Sequence, residues 1–208
     1  PVIVLSEELP VNAAAIINSS ASTVAGAIRL TGGVEGKRVA LWGIGMLGII
    51  ACAQCREAGA REIIAVDINS ERLALAGRFG ATQTMKAGEF DPSLLTADCT
   101  IDFSGNLASM GATVDALRRG GTAVWVGGVC PQEPIRLDTE KIVRNLYTIK
   151  GLHNYNADDF RAAVSFMEKH HADYPISELI YDGFTLDQTE EAFRYAIDNN
   201  PFRVGIHF

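Results

Sequence analysis

Three glycines and one aspartate carry the chemistry most legible in this chain of 208 residues. The run Arg38-Val39-Ala40-Leu41-Trp42 opens into Gly43-Ile44-Gly45-Met46-Leu47-Gly48, a GxGxxG pattern, and Asp67 closes the next apolar run, Ile63-Ile64-Ala65-Val66. That order is the fingerprint of a dinucleotide site. Gly43 permits the tight turn out of a strand, Gly45 admits a pyrophosphate against the backbone, and Gly48 lets a helix pack closely. The anion then meets the head of that helix at Met46 and Leu47. Free N–H groups and roughly half a unit of positive charge favour phosphate there without any Lys or Arg.

Asp67 is expected to accept hydrogen bonds from an adenosine ribose, which makes NAD the expected cofactor. A 2′-phosphate beside its carboxylate would cost on the order of 4 kcal/mol per unit charge at about 4 Å and an effective dielectric near 20. NAD should then beat NADP by roughly a thousandfold, less what solvent screening and a nearby cation recover. Arg72, five residues further on, is the candidate cation; it could equally be part of a solvated helix face.

The elements that must position these groups follow from the pattern. Strands Arg38 to Trp42 and Glu62 to Val66 alternate with helices Met46 to Ala58 and Glu71 to Phe79, the second stopped by Gly80. A short strand is expected at Thr82 to Met85, then barely one helical turn at Asp91-Pro92-Ser93-Leu94-Leu95. The rhythm resumes with strand Cys99 to Phe103, helix Leu107 to Arg119 ended by Gly120-Gly121, and strand Thr122 to Val126. Ile135-Arg136-Leu137, a helix Thr139 to Leu146 capped by Asp138 and strand Tyr147 to Lys150 would complete the sheet. The fold class is α/β, a doubly wound parallel sheet. Beyond it lie a helix Ala157 to His170 capped by Asn156, a strand near Leu179 to Tyr181, a helix Gln188 to Ile197 capped by Asp187, and a last strand Phe202 to Phe208. That last strand has no evident partner in the sequence, so one outside the chain is an open reading.

Composition narrows the partners. A net charge of −7 with no basic run argues against nucleic acid or an anionic membrane, and favours small-molecule ligands. No apolar stretch reaches a membrane span, and Pro1-Val2-Ile3-Val4 lacks the features of a signal peptide, which points to a cytoplasmic protein. Cys52, Cys55, Cys99 and Cys130 all sit among apolar residues and read as reduced thiols.

The segments around Gly43 to Gly48, Val66-Asp67-Ile68-Asn69 with Arg72, Ile101-Asp102-Phe103-Ser104-Gly105 and Val126-Gly127-Gly128 resemble the medium-chain dehydrogenase/reductase superfamily, the zinc-type alcohol dehydrogenases, over essentially the whole chain. Pro134 to Asp138 with Ile149-Lys150-Gly151-Leu152-His153-Asn154-Tyr155 is similar to the subgroup associated with phosphonate catabolism. The resemblance implies a Rossmann fold of strand order 3-2-1-4-5-6 with a C-terminal α+β segment. Residues 1–36 would be a linker and helix leading from a GroES-like catalytic domain that these residues do not include. Residues 37–151 would form the NAD-binding domain and 152–208 a segment returning toward the catalytic domain. It further implies hydride transfer between an alcohol or aldehyde and NAD, and a homodimer through the sheet edge, with Ile135 to Leu137 and Tyr147 to Lys150 as contacts. The cofactor set it implies adds Ile68, Ser104, Gly105, Val126, Gly127, Gly128, Leu152 and His153 to the glycine turn, Asp67 and Arg72.

In the same family a zinc-binding Cys precedes a Ser-Thr or Ala-Thr pair. By that register the position is Ser19, or Ser20 if the alignment slips by one, ahead of Ser22-Thr23. A serine hydroxyl is a far poorer zinc ligand than a thiolate, so the departure puts zinc binding in question for this chain. Thr23 would pack against the nicotinamide, or simply occupy a helix interior; His153 would lie beside the nicotinamide, by packing or by proton transfer. Cys52-x-x-Cys55 falls inside a helix and reads as core packing. His170 and His171 suit a helix C-terminus, and His207 falls in the last strand.

Two rivals stay open: a non-catalytic NAD(H)-binding module or sensor, and a methyltransferase, which would need a reversed last strand in the same sheet. The isolated chain is expected to bind cofactor with little or no turnover.

Overall fold

The computed structural model describes residues 2–208. Its centre is a six-stranded sheet in the order β3-β2-β1-β4-β5-β6. The strands are β1 (Arg38–Trp42), β2 (Glu62–Asp67), β3 (Gln83–Lys86), β4 (Ala97–Asp102), β5 (Leu117–Trp125) and β6 (Thr148–Gly151). All neighbouring pairs run parallel, so the reversed strand required by the methyltransferase alternative is not found. Alternate residues of the central strands serve opposite cores. Val39, Leu41, Ile63 and Ala65 face one, and Ala40, Trp42, Ile64 and Val66 the other. Burial on both faces explains why these segments read as unbroken apolar runs.

Helices α3 (Met46–Glu57), α4 (Ser70–Arg78), α5 (Leu107–Asp115) and α6 (Thr139–Asn145) make the crossovers. Asn69, Asn106 and Asp138 cap α4, α5 and α6 by accepting first-turn N–H groups. The third crossover is indeed abbreviated to a 3-10 turn, Pro92–Leu94. Helix α5 stops earlier than expected, at Asp115, and β5 already begins at Leu117. Tertiary contacts take over there: Ala97 N–H donates to the Ala116 carbonyl at 2.8 Å and Arg118 pairs with the Asp98 carboxylate. A bulge between Ala97 and Cys99 takes up the extra residues, with Gly120 at φ +76°. Ile135 to Leu137 form no strand; they lie in the loop before α6.

Before the sheet come α1 (Val11–Ala15), a π-helical turn at Ile17–Ala21 and α2 (Ser22–Leu30). After it come α7 (Ala157–His170), β7 (Ile180–Thr185), α8 (Thr189–Asn199) and β8 (Arg203–His207). Asn156 caps α7 with a capping box closed by Asp159. Asp187 does not cap α8. The reciprocal pair there is Thr185 with Gln188, around a 3-10 turn that leads into the helix. The last strand finds its partner within the chain, since β8 pairs in parallel with β7 as a separate two-stranded sheet.

Candidate nucleotide site

The glycine turn sits at the carboxyl end of β1, where the strand order reverses between β1 and β4 and doubly wound sheets open a crevice. Each glycine has its own reason. Gly43 has φ +85°, and a Cβ there would lie 2.7 Å from Ser104 N. A Cβ on Gly48 would lie 2.1 Å from the Gly43 carbonyl oxygen, so helix and strand are in backbone contact. Gly45 is different. Its φ of −80° suits any residue, and apart from its chain neighbours a methyl there would meet only Arg72 Nη1, at 3.7 Å. The fold does not require glycine at that point. It heads α3 with no side-chain cap on the first-turn N–H groups. A pyrophosphate fits such a cradle, which supplies donors and positive dipole.

Asp67 faces the turn from the end of β2. Its Oδ2 accepts the Ile44 N–H at 2.6 Å and its Oδ1 the Asn69 N–H at 2.8 Å, and the residue is buried. Two acceptor lone pairs remain on a carboxylate so engaged. Ile68 beside it is 77% exposed, an apolar platform on the surface.

Across the switch point the second half repeats the arrangement. Asp102, fully buried at the end of β4, accepts the Ser104 hydroxyl at 2.8 Å and the Gly105 N–H at 2.7 Å. Burial pushes its carboxyl above the ordinary aspartate range, against the lowering effect of those two donors. Gly105 and Gly127 meet backbone to backbone: a Cβ on Gly105 would lie 2.2 Å from Gly127 O, and one on Gly127 2.1 Å from Gly105 N. Beyond them a cleft of about 530 Å³ is lined by Met110, Trp125, Val126, Gly128, Leu152 and His153. The geometry thus gathers the glycine turn, Asp67 and Arg72 on one side of the switch point. The ends of β5 and β6 form the other side.

The remaining candidates resolve individually. Thr23 is buried and its hydroxyl donates to the Ser19 carbonyl at 2.7 Å, a helix-interior bond. Ser19 is exposed on the π-helical turn. Among the described residues no group of three His, Cys, Asp or Glu side chains could hold a metal ion. Cys52, Cys55 and Cys99 are buried as expected, but Cys130 is exposed in the loop after β5, contrary to the apolar setting its neighbours in sequence suggest. His170 Nδ1 lies 2.9 Å from Asp173 and His171 Nδ1 3.0 Å from the Met167 carbonyl, both at the end of α7.

Sequence reasoning missed three positioning residues. Asp102, quoted only within the segment Ile101 to Gly105 and given no role, ends β4 as Asp67 ends β2. Gln54, in α3, donates to the Ala21 carbonyl at 3.0 Å and so holds the π-helical turn. Arg203 donates to the Ser20 hydroxyl at 2.9 Å. Neither pairing has a sequence signature.

A switch-point crevice with a glycine turn and a facing carboxylate is the arrangement of doubly wound nucleotide-binding domains. Comparison with known proteins gives the same class. The family model for zinc-binding dehydrogenases matches residues 46–169. L-threonine 3-dehydrogenase of Pectobacterium atrosepticum is 27% identical over 166 residues, 76% of this chain and 45% of that protein. An alcohol dehydrogenase from Thermotoga maritima superposes with a TM-score of 0.90 at 23% identity, over 98% of this chain and 59% of that one. A structure from Sinorhizobium meliloti bound to NADP superposes at 0.78 with 21% identity, over 88% of this chain and 57% of that one. The chain therefore belongs to the zinc-binding dehydrogenase family, within the medium-chain dehydrogenase/reductase superfamily, and corresponds to its cofactor-binding domain. It spans about half the length of the curated relatives it matches. No helix among the described residues is long and apolar enough to cross a membrane.

Proposed function

We propose that this chain binds NAD(H) and presents the nicotinamide for hydride exchange with an alcohol or aldehyde. The observation that carries the reading is a glycine at position 45 that neither backbone conformation nor close packing demands, at the head of α3 and next to the turn Asp67 holds. Met46 and Leu47 would donate to the pyrophosphate, Asp67 would accept from the adenosine ribose, and Ile68 would cover the adenine. Val126, Gly127 and Gly128 would flank the nicotinamide carboxamide, with Leu152 and His153 on the adjoining wall and Ser104 and Gly105 on the adenosine side. Thr23 fits the helix-interior role better than the nicotinamide contact. A bound nicotinamide supplies the hydride chemistry; these residues bind and orient it. By this division residues 37–151 are the cofactor domain, preceded by a linking helix and followed by a returning segment.

The NADP bound by the Sinorhizobium meliloti protein makes cofactor choice the sharpest point to test. Calorimetric titration with NAD, NADP and S-adenosylmethionine is expected to give NAD the tightest binding and S-adenosylmethionine none. NADP binding as tight as NAD would overturn the Asp67 assignment.

A second reading, a non-catalytic NAD(H) module, is favoured by Ser19, which stands where the resemblance places a zinc-binding Cys. Both readings expect the isolated chain to turn over little or not at all. NADH formed from an alcohol by this chain alone would exclude the module. The outer edge of β6, paired only with β5, is the proposed homodimer seam; light scattering at the mass of a monomer would remove it.

A further inference from the structure

We propose that Arg72 couples nucleotide binding to the seating of the C-terminal unit β7–α8–β8. The inference rests on reading Gly45 as the phosphate cradle and adds a function that reading does not contain. The two terminal nitrogens of one guanidinium face different parts of the molecule. Nη1 stands over Gly45, 3.7 Å from where a Cβ would be, while Nη2 donates to the Asn200 carbonyl at 3.1 Å. The Phe202 ring lies against the guanidinium at 5.2 Å from ring centre to Cζ. Asn200 closes α8 in the left-handed conformation, φ 45° and ψ 48°, and Arg203 begins β8 one residue past Phe202. Arg72 is itself fixed from below, because its N–H is one of the two that the Asn69 cap accepts.

A guanidinium is a planar fork of five donors, so a bond to Asn200 leaves others free for an anion. A phosphate seated over Gly45 would draw the fork into one orientation through charge-assisted hydrogen bonds. That same orientation presents Nη2 to Asn200 and the flat face to Phe202. The root of β8 is thereby held against the nucleotide-binding half of the molecule whenever the cradle is filled. Linkage is reciprocal: if nucleotide steadies the C-terminal unit, a well-seated unit must tighten nucleotide binding by the same factor.

Amide hydrogen exchange over residues 196–208, with and without saturating NAD, tests this, together with calorimetric NAD affinity on the 208-residue chain. In the natural chain NAD is expected to slow exchange in β8 about fivefold, the lower end of ordinary coupling. In Arg72→Gln at saturating NAD the slowing is expected to vanish. In Phe202→Leu, which leaves the guanidinium in place, it should fall below half, with NAD affinity about threefold weaker although this ring offers nothing to a phosphate. Should Arg72→Gln fail to fold, Phe202→Leu decides alone. NAD binding with unchanged exchange in β8, or equal slowing in the natural chain and both variants, overturns the coupling and leaves the site reading intact. No NAD binding at all overturns both.

Discussion

The Oδ2 atom of Asp67 accepts the backbone N–H of Ile44 at 2.6 Å, so the carboxylate that faces the crevice also holds the glycine turn in place. A single side chain thus sets both the shape of the turn and the charge in front of it. Asp67→Ala is expected to weaken NAD about thirtyfold, the loss of one charge-assisted hydrogen bond of about 2 kcal/mol. NADP should lose less, because the repulsion of its 2′-phosphate is removed at the same time. Titration of both cofactors checks this, and equal losses would remove Asp67 from the ribose.

Gly45 and Gly48 should separate binding from stability. Gly48→Ala drives a methyl into the Gly43 carbonyl and is expected to cost about 3 kcal/mol, at the upper end of overpacking. Gly45→Ala meets ordinary φ and no more than van der Waals contact with Arg72 Nη1, at 3.7 Å, so its melting point should stay near that of the natural chain. Its methyl would stand where the pyrophosphate must approach, and NAD binding should be lost. A Gly45→Ala chain that melts normally and binds NAD normally would remove the cradle.

The acid limb of stability is assigned to Asp159. Two hydrogen bonds from Arg29, at 2.7 and 3.0 Å, hold its carboxyl below the ordinary aspartate value. A depressed folded pKa means stability that is whole above the unfolded value of about 3.9 and lost as pH falls through the folded one. Asp159→Asn should cost about 2 kcal/mol at neutral pH, tempered by the solvent around half-exposed Arg29. It should also flatten denaturant-derived stability below about pH 4. Asp102 works in the opposite sense. Its carboxyl is raised by burial, so its contribution is present below about pH 3.9 and is lost as pH rises, and Asp102→Asn should steepen the acid limb.

Thiol chemistry should find one reactive cysteine. Burial pushes Cys52 up to about 12 and Cys99 to about 11, and raises Cys55 well above the ordinary thiol value. Cys130 alone is exposed. A disulfide reagent at pH 8 is expected to label one thiol quickly in the folded chain and the other three only in denaturant. Fast labelling of two or more would contradict the buried cluster.

Much of this fold is legible in the sequence, because its strands are buried on both faces and its crossovers start at clear caps. Asn156 and Asp138 announced helices that begin one residue later. Errors arose where tertiary contacts overrode local preference. Leu117-Arg118-Arg119 suits a helix on its own, yet Arg118 reaches Asp98 and the segment becomes strand. Asp187 is a good cap by type, but the Thr185 and Gln188 pair claims the turn. At the site, the glycines and Asp67 were legible through spacing. Arg72 was legible only as a cation, since its partners Asn200 and Phe202 lie far away in sequence.

Gly105 and Gly127 each occupy the volume a side chain on the other would need. Enlarging either one cannot be relieved by shrinking its counterpart, which is already the smallest residue. No compensating pair of changes exists, and both positions are closed to drift. The gauge between these two loops is consequently fixed by main chain alone. Side chains around them can diversify what is recognised without altering that spacing.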